Sequence, residues 1–112
     1  MYRNVRKGMV DMYKDLLPIG SIVRIKGGER NLMICGRIMA RTNSDEIYDY
    51  VGCLYPEGIV DPSNLYFFNR EGIDECVYRG YEGQEELDFR HNILDTLDEL
   101  EVVDGKIVQK EK

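Results

Sequence analysis

Ser21-Ile22-Val23-Arg24-Ile25-Lys26-Gly27-Gly28-Glu29-Arg30-Asn31-Leu32-Met33-Ile34-Cys35-Gly36-Arg37-Ile38-Met39 alternates with a period of two on either side of a glycine pair. Val23 and Ile25 point one way, and Arg24 and Lys26 the other. Gly27-Gly28 breaks the run, because glycine reaches positive φ without steric cost. Leu32, Ile34 and Ile38 then return on one face, so the two segments pair as a hairpin. Gly36 inside the second segment marks a bulge or sharp bend.

Downstream, Ile47–Leu54, Leu65–Phe68 and Ile73–Arg79 read as three further short strands. A turn-rich connection, Tyr55 to Asn64, lies between the first two. Gly52 is another candidate bend. Upstream, Tyr2, Val5, Met9, Met12, Tyr13 and Leu16 recur at helical spacing until Pro18 stops the helix. Gln84 to Glu101 reads as the strongest helix, with Leu87, Phe89, Ile93, Leu94, Leu97 and Leu100 on its apolar face. Asp104-Gly105 signals a turn between Val102-Val103 and a short terminal strand. The expectation is one α+β domain over residues 1–112. It has a helix at 1–17, a small curved antiparallel sheet of about five strands at 19–80, a helix at 82–101 and a frayed tail at 109–112. An SH3-like barrel is one form that such a sheet takes.

The chain has 112 residues, of which 43% are apolar, enough for a core. Its net charge of −6 hides a split. Residues 1–41 hold nine basic and three acidic side chains, whereas residues 42–112 hold six and eighteen. No apolar run is long enough for a transmembrane helix. Asp11, Lys14 and Asp15 interrupt the region where a signal peptide would need an apolar core. Cys35, Cys53 and Cys76 are odd in number and widely spaced, which suits reduced thiols of the cytoplasm within strands.

The residues do not assemble a catalytic pattern. His91 is the single histidine and has no identifiable nucleophile or orienting partner. Ligand spacings for zinc or calcium are missing, so no metal or cofactor is expected. Two acidic clusters, Asp45/Glu46/Asp49 and Glu71/Asp74/Glu75, read as solvated faces. Gly27-Gly28-Glu29-Arg30 lacks the Gly-Lys-Ser/Thr ending of a phosphate loop. A single-stranded nucleic-acid reading draws on Arg24, Lys26, Arg30, Arg37 and Arg41 with Tyr48, Tyr50, Tyr66 and Phe67. The acidic excess of the later strands disfavours it.

Several segments together form a recognisable series. They are Leu17-Pro18-Ile19-Gly20-Ser21, Lys26-Gly27-Gly28, Leu32 to Arg37, Tyr48 to Gly58, Tyr66-Phe67-Phe68-Asn69 and Ile73 to Tyr81. The series resembles a family of small uncharacterised Gram-positive bacterial proteins encoded beside type VII secretion and LXG toxin genes. The resemblance covers about residues 16–90, with Tyr48 to Gly58 its most specific block. It implies a cytoplasmic chaperone or targeting adaptor that binds a secreted toxin or its small helical partners. A toxin-neutralising immunity protein is the alternative. It implies no catalytic residue.

Because Tyr and Arg are favoured in interfaces, the candidate partner-binding residues are Arg37, Tyr48, Tyr50, Tyr55, Tyr66 and Arg79. Core packing is an equal alternative for Tyr50 and Tyr66. The acidic second helix favours a basic protein partner, and no membrane partner is expected.

Overall fold

A computed structural model describes Tyr13 and residues 15–110. Gly27, at φ 78°, turns the chain between β1 (Ile22–Ile25) and β2 (Asn31–Ala40). Ile22 lies opposite Met33 and Val23 opposite Leu32, and this register gives Val23, Leu32 and Ile34 one buried face. β3 (Ile47–Leu54), β4 (Tyr66–Phe68) and β5 (Ile73–Tyr78) complete a five-stranded sheet in the order β4-β3-β2-β1-β5. The β1–β2, β1–β5 and β3–β4 pairs are antiparallel. β4 and β5 end the order without meeting each other, so the sheet is open and the barrel form is not adopted. The α+β class holds.

The described residues fall into two compact units. One contains residues 17–39 and 48–81, and the other contains residues 40–47 and 82–110 with Tyr13, Asp15 and Leu16. In the sheet unit, Val23, Leu32, Ile34, Tyr50, Val51, Cys53 and Phe68 are buried. Tyr50 faces Phe68 across β3 and β4 with ring centroids 5.5 Å apart. A Cβ on Gly36 would sit 2.6 Å from Val51 Cγ1, so the glycine permits close packing. The positive φ falls at Ile38, at 57°.

Asp49 also departs from expectation, being buried instead of part of a solvated acidic face. Its carboxylate accepts from Arg70 N at 3.0 Å and Arg70 Nε at 3.2 Å, and its own N–H donates to Asn69 Oδ1 at 2.8 Å. Those bonds fix the corner after β4, where Arg70–Gly72 form a single 3₁₀ turn.

In the other unit, α1 (Gln84–Asn92) stops short of the expected Glu101. A 3₁₀ turn, Leu94–Thr96, follows it, and Thr96 Oγ1 donates to the Ile93 carbonyl at 2.8 Å. β6 (Leu100–Val103) then pairs with β7 (Lys106–Gln109) around Asp104 and Gly105, at φ 54° and 77°. Both positive values suit the two-residue hairpin turn, so the hairpin takes Leu100 and Glu101 from the helix. The tail is also tied down further than expected, since Lys110 N–H donates to the Glu99 carbonyl at 2.8 Å.

The apolar stripe of α1 is only partly covered. Leu87, Phe89 and Ile93 stay nearly half exposed, and the better covered side carries Glu86 and Arg90. Arg90 Nη2 donates to Glu86 Oε2 at 3.0 Å and to the Leu16 carbonyl at 2.6 Å. The helix expected over residues 1–17 lies outside the described residues except at Tyr13 and 15–17, where Tyr13 and Leu16 are buried. Among the described residues, no helix is long and apolar enough to cross a membrane.

Candidate partner-binding surface

The connection from β3 to β4 is held by its own hydrogen bonds. Gly58 N–H returns to the Leu54 carbonyl at 2.7 Å, with Gly58 at φ 83°. Asp61 Oδ1 accepts from Ser63 N at 3.0 Å and Ser63 Oγ at 2.9 Å, and these donors hold its carboxyl below the usual carboxylate range. Such a loop loses little freedom when it binds.

Four large apolar side chains stand out from this connection and the strand after it. Tyr55, Ile59, Val60 and Tyr66 are 39–80% exposed. Beside Tyr55 lies an ion pair that Arg30, from the first hairpin turn, makes with Glu57. Arg30 Nη2 donates to the two Glu57 carboxylate oxygens at 2.6 and 2.7 Å and to the Tyr55 carbonyl at 3.3 Å. The guanidinium lowers the Glu57 pKa, and the carboxylate raises that of Arg30. The pair neutralises itself, so the surface is apolar and aromatic around a charge-balanced centre.

The structure brings two of the six candidates together here, Tyr55 and Tyr66. Tyr50 takes the core alternative: it is fully buried, and its hydroxyl accepts the Leu17 N–H at 2.9 Å. Burial of the ring raises its pKa. Arg37 is half-buried, with Nη1 donating to the Leu17 carbonyl at 3.3 Å. Tyr48 is half-buried against Phe67, ring centroids 5.6 Å apart. Arg79 is exposed just beyond β5, at the opposite edge of the sheet from Tyr66.

Sequence reasoning missed Ile59 and Val60. Their signal was two adjacent apolar residues inside a polar, turn-rich connection, where no strand alternation could bury them.

The remaining reactive groups are scattered. Cys53 is buried, Cys35 half-buried and Cys76 exposed, so Cys76 is not the core residue expected of it. Burial raises the Cys35 thiol pKa, with a further contribution from neighbouring Cys53. His91 is exposed on α1. Among the described residues, no group of three or more His, Cys, Asp or Glu side chains could hold a metal ion.

The fold is α+β, with an open antiparallel sheet and an exposed aromatic loop at one of its edges. Residues 16–89 of its 112 match the family described as a domain of unknown function (DUF4176), and the chain belongs to that family. No curated protein and no solved structure matches it.

Proposed function

We propose that the chain is a non-enzymatic binding protein of type VII secretion. It would act as a cytoplasmic chaperone or targeting adaptor that holds an LXG-type toxin or its small helical partners before export. Support for the pathway comes from the sequence resemblance. Support for binding comes from the surface of Tyr55, Ile59, Val60 and Tyr66 around the Arg30–Glu57 pair. Aromatic side chains with an Arg among them, on a loop already ordered, are what protein interfaces concentrate.

Arg30, Arg24 and Arg37 each donate to a group within the sheet unit, which favours a protein partner over a nucleic acid. Co-purification with the N-terminal region of an LXG toxin tests the proposal. The complex should form with the natural chain. It should weaken about tenfold or more when Tyr55 and Tyr66 are both changed to Ala, given the weight of central aromatics in interfaces. No stable complex with any such region would sink the reading. A complex with the toxin's active domain instead, together with protection of cells, would support immunity.

A further inference from the structure

Tyr13 and Leu16 are buried in the same compact unit as α1. Arg90 Nη2, from the last turn of the helix, donates to the Leu16 carbonyl at 2.6 Å and fastens the chain there. Tyr13 and Leu16 are also the last members of a sequence stripe, Tyr2, Val5, Met9, Met12, Tyr13 and Leu16. The period of that stripe is helical, so its members share a side. With the last two turned inward on this unit, the earlier members are directed to an apolar surface of the same unit.

α1 offers such a surface. Glu85, Phe89 and Ile93 recur every four residues and form one ridge along the helix. Phe89 and Ile93 are each 44% exposed, and Glu85 is exposed. Leu87 lies on another side of the helix and is not part of the ridge.

Two observations select the occupant. The first is charge. Residues 82–96 carry five acidic side chains and one arginine, Arg90. That arginine is already engaged with Glu86, Glu82 and the Leu16 carbonyl. Asp95, two residues past Ile93, has a buried carboxylate oxygen, Oδ1, without a hydrogen-bond partner. Residues 1–12 bring Arg3, Arg6 and Lys7 against Asp11 alone. The second is the tether. Twelve residues in a helix span about 18 Å, more than the roughly 13.5 Å of the nine residues of α1. A segment tied down at Leu16 meets α1 at an effective concentration near the millimolar range, ahead of any separate chain.

We propose that residues 1–12 dock as an amphipathic strap along the Glu85–Phe89–Ile93 ridge of α1, with the apolar stripe inward and Arg3, Arg6 and Lys7 toward the acidic side chains. An outside helix then reaches this ridge only by displacing the strap. The inference goes beyond the binding proposal, whose surface belongs to the sheet unit, and stands without it.

The test uses the full chain. In NOE spectra, the Val5 and Met9 methyls should contact the Phe89 ring and the Ile93 methyls. In a mixture of labelled and unlabelled chains, these contacts should stay within one chain. A synthetic peptide of residues 1–16 is then titrated into the ¹⁵N-labelled natural chain and into a Val5→Ser/Met9→Ser variant. The variant should bind the peptide about tenfold or more tightly, with amide shifts at residues 85–96, because its own strap no longer competes. Changing Arg3, Arg6 and Lys7 together to Glu should give the same gain at low salt. That gain should shrink at about 1 M salt, where the Debye length is about 3 Å. These substitutions leave Tyr13, Leu16 and every other described core residue in place, so the variants keep the fold. Absence of the NOE contacts, contacts between chains, equal peptide affinity in the natural chain and the Ser variant, or shifts centred on the Tyr55–Tyr66 loop would each overturn the inference.

Discussion

The Leu17 peptide groups are satisfied by two side chains of the sheet unit. The Tyr50 hydroxyl accepts the N–H at 2.9 Å, and Arg37 Nη1 donates to the carbonyl at 3.3 Å. Tyr50→Phe keeps the ring against Phe68 and removes only the acceptor. It should cost about 1–3 kcal/mol, the range for a buried donor left without its partner, read from urea unfolding midpoints. The same hydroxyl gives a signature in pH. Burial holds its folded pKa above the ordinary 10.0, so the unfolded chain releases that proton first. Its contribution is therefore complete below pH 10.0 and is lost as the pH rises toward the folded value. The natural chain should lose more stability between about pH 9 and about pH 11 than the Phe variant does. Equal losses in both would contradict this account.

At the scale of elements, local alternation made the first hairpin and the next strands readable in advance. Val23, Leu32 and Ile34 each occupy the face that period two assigns them. The helix end was not readable in that way, because Leu97 and Leu100 continue a helical spacing while Asp104-Gly105 demands a hairpin. The turn prevailed, since its two positive φ values close four cross-strand pairs. Asp49 was unreadable for another reason. A carboxylate in a polar stretch looks solvated until the fold places Arg70 against it, 21 residues away in sequence. The surface was half legible: Tyr55 and Tyr66 follow from residue type, while Ile59, Val60 and the Arg30–Glu57 pair needed the loop's shape.

Arg90 ties α1 to the Leu16 segment of its own unit. Its guanidinium reaches the Leu16 carbonyl at 2.6 Å and Glu86 at 3.0 Å, with Glu82 at 3.7 Å. Arg90→Met keeps the aliphatic length and should destabilise by about 2 kcal/mol, below the full range for a buried pair because these groups retain some solvent. Arg90→Lys should recover only part of this, because a single ammonium cannot reproduce the guanidinium fork. A Met variant as stable as the natural chain would remove the helix's anchoring role.

For the whole molecule, the opposed charges of the two sequence halves meet at the surface where Arg30 of the basic half pairs with Glu57 of the acidic half. Arg70–Asp49, Arg90–Glu86 and Lys110–Glu99 are pairs within the acidic half. Burial is as uneven as charge. Asp49 to Cys53 form an unbroken buried run in β3, whereas β5 holds no buried residue and β6–β7 is an isolated two-stranded hairpin. Local opening is easiest where few apolar contacts resist it. Hydrogen exchange of the free chain should therefore be slowest across residues 49–53 and faster across 74–78 and 100–109, since a lone hairpin is marginal in water. If the 74–78 amides exchanged as slowly as those of β3, uneven burial would not set the order of local opening.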